Sequence, residues 1–239
     1  MRKKILFACL LVLFLLPSSA VAWTWTPLQL SVWDPIQLFP ERYNVYGIRM
    51  NLAYGSNQNL TGIDLGGVNV VSRNQGGIQA GLINLSDSSA GLCAGVMNYT
   101  TRLGGWQLGL LNTAKDAMTG IQATGLMNLS DHVKGVQVHC GILGNGAVTV
   151  AGAQFVLLAG YNLTDNLNGL QLAAFGFNYA KESVNGVQFA MLYNYAKNLN
   201  GLQFSLVNAC ETLSGIQIGL VNIIWQEKMS MMPLLNFRF

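Results

Sequence analysis

Apolar and polar positions alternate along most of this chain, within a unit that returns at nearly constant spacing. The unit runs from a glycine, through an apolar residue and a glutamine, to an asparagine seven or more positions later. Gly77–Asn84, Gly105–Asn112 and Gly215–Asn222 show the unit most clearly. Alternation with a period of two predicts β-strands, because successive side chains of a strand point to opposite faces.

The leading glycine of the unit recurs twelve times, and successive copies are 14 to 17 residues apart. The copies are Gly47, Gly62, Gly77, Gly91, Gly105, Gly120, Gly135, Gly152, Gly169, Gly186, Gly201 and Gly215. Polar segments rich in Ser, Thr, Asn and Asp separate the units, which is typical of turns. A period of this kind predicts an all-β repeat architecture.

We favour a parallel β-solenoid of about twelve repeats of 14–17 residues, with one unit per coil. An apolar residue stands two positions before most of the leading glycines, as the return side of a closed coil requires. Equivalent positions would stack in a solenoid, so Arg49 would lie beside Asp64, and glutamines and asparagines would form ladders. The distance from glycine to asparagine also changes gradually between Gly152 and Asn208, as matching neighbouring coils requires.

The alternative architecture is an antiparallel outer-membrane β-barrel of about 14 strands. The C-terminal segment Leu235–Phe239 alternates and ends on phenylalanine, like the last strand of such barrels. Strands near Leu28–Trp33 and Leu234–Phe239 would bring the twelve units to 14, an even number. In a barrel, one face of Leu202–Leu206 would meet lipid and the other would line the lumen.

The N-terminus predicts export. Residues 1–22 read as a signal peptide, with the basic Arg2-Lys3-Lys4, the apolar run Ile5–Leu16 and a small-residue cleavage site ending at Ala22. After the signal peptide, no stretch is long and apolar enough for a membrane-spanning helix. We therefore expect an exported protein at the cell surface or outer membrane.

Atypical segments flank the repeats. Residues 23–46 hold six aromatic residues and three prolines, and we expect them to form an aromatic N-terminal cap, because solenoids need distinct end units. The repeat array covers residues 47–222. Residues 223–239 are expected to form either a C-terminal cap or the final strand.

Composition narrows the function. Charged residues make up only 10% of the chain and hydrophobic residues 51%, so much of the surface is uncharged. Without the three basic residues of the signal peptide, ten basic residues face ten acidic ones. We expect no nucleic-acid partner, because phosphate binding needs a basic face.

Candidate chemistry is sparse, and we predict no catalytic, cofactor-binding or metal-binding residues. Cys93, Cys140 and Cys210 lie in different units without metal-ligand spacing, and we expect them to be buried free thiols. His139 precedes Cys140 directly, so the two side chains would point to opposite faces of a strand. The connectors offer about one carboxylate each, too few for calcium sites. These carboxylates are Asp87, Asp116, Asp131, Asp165, Glu182 and Glu211.

The repeat unit, as in Gly215–Asn222, resembles that of the bacterial surface-repeat-containing proteins. The segments Pro27–Trp33 and Pro233–Phe239 are similar to that family too, so the resemblance covers nearly all of the chain after residue 26. It implies an envelope or surface location in a bacterium with an outer membrane. It implies no activity and no functional residues.

Three functions remain to be weighed. The first is a non-enzymatic structural or interaction protein of the envelope, associated with the outer membrane and contacting an unknown protein or glycan. The second is an outer-membrane barrel, with the possibility of a channel. The third is a glycan lyase on a solenoid scaffold, which rests on fold analogy alone. A coil of about 15 residues is slim for such an enzyme, and the sequence shows no cluster of carboxylates or basic residues.

Overall fold

The chain coils into a parallel β-solenoid of about 13 turns, as predicted. The computed structural model describes residues 24–226 and 230–239, so the predicted signal peptide and residue 23 lie outside the described residues. The described part forms one sheet of ten strands. The strands are β1 Trp25–Trp33, β2 Ile36–Gln37, β3 Asn44–Asn51, β4 Tyr54–Asn57, β5 Leu60–Leu103, β6 Trp106–His139, β7 Gly144–Ala190, β8 Tyr193–Phe204, β9 Val207–Ile224 and β10 Ser230–Arg238.

Successive coils pair in parallel and in register. Gly186 lies beside Gly201, and Gln188 lies beside Gln203, where β7 meets β8. The antiparallel barrel is therefore wrong, because neighbouring strands of a barrel of that kind would run in opposite directions. The two faces expected for the barrel strand at Leu202–Leu206 are nevertheless distinct in the solenoid, since Gln203 is fully buried and Phe204 is exposed.

The leading glycine marks a point where consecutive coils come closest. Gly201 has a φ of 146°, and a Cβ atom added there would overlap the carbonyl oxygen of Gly186. The same relationship repeats along the column, and it explains why only glycine recurs there. Pro27 stands before Gly47 in this column, so β1 adds a coil that the glycine spacing does not count.

The third position of the units forms a buried column of polar side chains, as predicted, with Cys93 in the place of one glutamine. From Gln122 to Gln217, each glutamine Nε2 donates to the Oε1 of the glutamine one coil earlier, over 2.8–2.9 Å. Nearer the N-terminus, Gln79 donates to Asp64 over 3.0 Å. Asp64 also accepts two bonds from the Arg49 guanidinium, at 2.7 and 2.6 Å, and both side chains are fully buried.

A second buried ladder runs through the asparagines that end the units. Eleven amide-to-amide hydrogen bonds of 2.5–3.1 Å join consecutive members. The members are Asn51, Asn69, Asn84, Asn98, Asn112, Asn128, Asn145, Asn162, Asn178, Asn194, Asn208 and Asn222. Most of these amides also donate to a carbonyl oxygen of the next coil, as Asn178 does to Phe189. Polar groups in the interior are thus largely paired, which removes the cost of burying them.

A narrow apolar core lies on the return side of the coils. The apolar residues two positions before the glycines are buried there, among them Leu103, Met118 and Leu199. The core is interrupted near Ser89, whose hydroxyl lies 2.6 Å from Gln75 Oε1 and 3.3 Å from the sulfur of Cys93. Because ladders and this thin core fill the interior, most large apolar side chains lie on the outside.

Short strands cover both ends of the solenoid. At the C-terminal end, β10 pairs antiparallel with β9, and Asn236 Nδ2 donates to Gln217 Oε1 over 3.3 Å. At the other end, β2 pairs antiparallel with β1, and the backbone of Phe39 exchanges two hydrogen bonds with the Gln29 amide, at 2.7 and 3.0 Å. Both ends of the glutamine column are therefore closed by the chain itself.

Candidate functional site

The structure separates the two residues that most resemble a nucleophile and a base. His139 is fully buried inside the coil, and its Nε2 accepts a hydrogen bond from the Gly141 amide over 3.1 Å. Cys140 is exposed on the outside. Burial lowers the pKa of His139 below its ordinary value. A neutral imidazole that faces away from the thiol cannot act on it as a base.

The cysteines occupy unlike environments. Cys93 and Cys210 are buried free thiols, as predicted, whereas Cys140 is exposed, so the prediction of burial is wrong for that residue. Cys140 directly follows the end of β6, and the alternation of Gln137 and His139 toward the interior places its side chain on the outside. Burial raises the pKa of Cys93, and it raises the pKa of Cys210 to about 12, so both buried thiols are poor nucleophiles.

All the solvent-facing charge of the repeat array lies on one side of the coil, which we call the charged edge. It consists of the connectors that begin two residues after each ladder asparagine and end at the next leading glycine. Its charged residues are Arg73, Asp87, Arg102, Lys115, Asp116, Asp131, Lys134, Asp165, Lys181, Glu182, Lys197 and Glu211. Arg102 pairs with Asp87 at 3.0 Å, and Lys197 pairs with Glu182 at 3.2 Å. In the described part of the chain, no group of three or more metal-ligating side chains comes together.

The other two sides of the coil are apolar, and we call them together the apolar wedge. Face 1 holds the outward residues one and three positions after the leading glycine, and face 2 holds those on either side of the ladder asparagine. The two faces meet at a ridge formed by the residue five positions after the glycine and, in the units longer than seven residues, also by the residue six positions after it. Exposed examples on face 1 are Ile48, Met50, Ile63, Leu65, Ile78, Trp106, Leu108, Phe189 and Phe204. Exposed examples on face 2 are Met97, Tyr99, Leu129, Leu163, Phe177 and Tyr179.

The ridge carries highly exposed apolar side chains. Leu82 is 63% exposed, Phe175 60% and Leu220 61%, where an apolar side chain in a protein core would be almost fully covered. A shallow apolar cavity of about 520 Å³ opens on the wedge beside the ridge, between Met191 and Leu234. No charged residue other than the buried pair of Arg49 and Asp64 interrupts the strands between the glycines and the asparagines.

Aromatic side chains stack along the wedge from one coil to the next. The rings of Phe189 and Phe204 lie 4.9 Å apart and within 2° of parallel on face 1. On face 2, the rings of Tyr179 and Tyr195 lie 4.8 Å apart at 15°. Register between coils thus continues into outward side chains, which makes the wedge a regular surface along the solenoid axis.

Comparison with family models, curated proteins and solved structures gives no match for this chain. Within residues 24–226 and 230–239, no helix has the length and apolarity needed to cross a membrane. The function must therefore be argued from the wedge and the charged edge. Sequence analysis missed the wedge, although its signal was present: apart from Arg49 and Asp64, the charges of the repeat array fall only in the connectors, while the strands alternate between apolar and amide residues.

Proposed function

We propose that this chain is a non-enzymatic repeat protein of the bacterial cell envelope with a structural or interaction role. The apolar wedge carries this proposal. At strand spacings of about 4.8 Å and about 3.3 Å per residue, the two faces of 13 coils cover roughly 2,000 Å². Soluble monomers rarely expose an apolar patch above a few hundred Å², and larger patches mark interaction sites.

The rest of the chain supports this assignment. The N-terminal pattern of a signal peptide supports export, and the resemblance to surface-repeat proteins supports an envelope location. The separation of His139 from Cys140, on opposite sides of the coil wall, supports a binding role over catalysis. The Gln and Asn ladders fix the spacing of the coils, and so hold the outward columns in register.

The test is fractionation of an outer-membrane bacterium that expresses the full chain. We expect the protein in the envelope fraction, with an N-terminus that begins after residue 22. The variant Leu13→Arg, which breaks the apolar run of the signal peptide, should keep residue 1 and stay in the cytoplasm. Cytoplasmic, unprocessed wild-type chain would overturn the envelope assignment. Polysaccharide cleavage that disappears in His139→Ala would overturn the non-enzymatic role.

A further inference from the structure

We infer that the apolar wedge inserts into one leaflet of a lipid bilayer, with the solenoid axis parallel to the membrane and the charged edge among the headgroups. The apolar wedge then contacts the acyl chains of the lipids in that leaflet. This inference deepens the proposed function and rests on it for the cellular setting. Four features of the described residues lead to it.

The first feature is the separation of charge from apolar surface. Six cationic and six anionic residues lie on the charged edge, and the strands of the wedge carry no exposed charge. A charged side chain in hydrocarbon is costly, so a lipid-facing surface must exclude it. The balanced charge of the edge also fits the zwitterionic headgroups of phospholipids, without a requirement for anionic lipid.

The second feature is depth. A coil of about 15 residues, at about 3.3 Å per residue, has a perimeter of about 50 Å. Three roughly equal sides of about 16 Å then place the ridge about 14 Å from the charged edge. One leaflet contributes about 15 Å of hydrocarbon, half of the core thickness of a bilayer. The wedge thus reaches the midplane without crossing it.

The third feature is shape. The two apolar faces meet at a convex ridge, whose side chains, such as Leu82 and Leu220, are more than half exposed. A second copy of the chain could cover one flat face but would leave the ridge and the other face in water. Fluid hydrocarbon surrounds a convex wedge completely, and therefore fits the whole surface better than one rigid partner.

The fourth feature is the pairing of polar groups. Unpaired backbone groups are not tolerated in hydrocarbon. Here each coil is hydrogen-bonded to its neighbours and the interior amides form ladders, so open backbone edges are confined to the two ends of the described solenoid, at β2 and β10. Tyr99, Tyr179 and Tyr195 lie directly before the charged edge, at the depth where tyrosine is favoured at membrane interfaces.

Tryptophan fluorescence in phosphatidylcholine vesicles tests the orientation. Trp106 lies on face 1 and Trp225 lies next to the charged edge, and both are about half exposed. Each is kept as the sole tryptophan of the mature chain, with the others changed to phenylalanine. Lipids brominated in the part of the acyl chain nearest the headgroup should quench Trp106 strongly and Trp225 little. Equal quenching of both, or quenching of neither, would overturn the inference.

Charge substitutions test the contact surface. The variant Leu82→Asp with Leu220→Asp places carboxylates on the ridge, and should lower partitioning into the vesicles by at least about tenfold. Val148→Asp is the matched control, because Val148 is an exposed apolar residue on the charged edge. It should change partitioning by less than about twofold. We expect each variant to fold, because all three positions are exposed, and circular dichroism checks this.

The outcomes separate this inference from the proposed function. An envelope protein that does not bind vesicles, and forms dimers that shield Trp106, would overturn lipid insertion in favour of a second copy. It would leave the envelope role intact. A chain that binds vesicles but stays in the cytoplasm would overturn the envelope role instead.

Discussion

The Arg49 guanidinium and the Asp64 carboxylate lie one coil apart in the glutamine column and form a fully buried, two-bond ion pair. Arg49 also donates to Asn57 and to the Val70 carbonyl, and Asp64 accepts from Gln79, so the pair is embedded in a polar network. The Asp64 carboxylate can only accept, and the Gln79 amide one coil later supplies its donor within the column.

Removing one member of this pair should be much worse than removing both. Asp64→Leu leaves the guanidinium buried without its partner, and we expect a loss of about 3–5 kcal/mol in unfolding free energy. The double variant Arg49→Gln with Asp64→Gln extends the glutamine column and should cost less than about 1.5 kcal/mol. Denaturant unfolding of both variants measures the difference. Equal losses would show that the charges are not coupled.

The glycine column should be intolerant of even one methyl group. In Gly201→Ala the added Cβ overlaps the carbonyl oxygen of Gly186, and the residue must adopt a φ of 146°. We expect a loss of more than about 3 kcal/mol or failure to fold. Gly104→Ala is the matched control, since its Cβ would lie 3.7 Å from the nearest neighbouring atom, the Ser89 carbonyl oxygen. The control should change thermal stability by less than about 1 kcal/mol, and a similar loss in both would refute the explanation.

The sequence predicts the coils well, because each unit carries both period-two alternation and a leading glycine. Alternation alone cannot distinguish parallel from antiparallel stacking, since both have the same period. The pair of Arg49 and Asp64 favoured parallel stacking, because only stacked coils bring the two residues together. The coil at Pro27 is hidden because proline replaces glycine there, although Gln29 keeps its place in the buried column. The exposure of Cys140, by contrast, follows from alternation, because Gln137 belongs to the buried column and His139 therefore also points inward.

Stability should fall in mild acid because of His139. Burial lowers the pKa of this imidazole below its ordinary value of 6.5, so the unfolded chain binds the proton more readily than the folded chain. Stability is therefore complete above pH 6.5 and decreases as the pH falls toward the lowered folded-state pKa, by at most about 1.4 kcal/mol per pH unit.

Two variants isolate this effect in denaturant unfolding between about pH 7 and pH 5. His139→Val should reduce the slope, because it removes the titrating imidazole. Valine should fit at this position, because Val156 fills the equivalent position one coil later. His132→Gln should retain the slope, because His132 lies on the charged edge, where its Nδ1 is 2.7 Å from the Thr149 hydroxyl. A slope that persists in His139→Val would assign the acid sensitivity to another group.

The terminal strand β10 should keep solenoids from joining end to end. It runs antiparallel to β9, whereas the coils before it stack in parallel, and Asn236 takes the last place in the glutamine column. A chain that ends at Gln226 would expose the β9 edge. Gln217 Oε1 would lose the bond from Asn236, Asn222 Nδ2 would lose its bond to the Met232 carbonyl, and such edges recruit other strands. We expect the truncated chain to form oligomers whose size grows with concentration, as measured by light scattering in detergent that shields the wedge. As a control, removal of Phe239 alone leaves β10 intact and should leave the chain monomeric. If the chain that ends at Gln226 is also monomeric, β10 does not protect the edge.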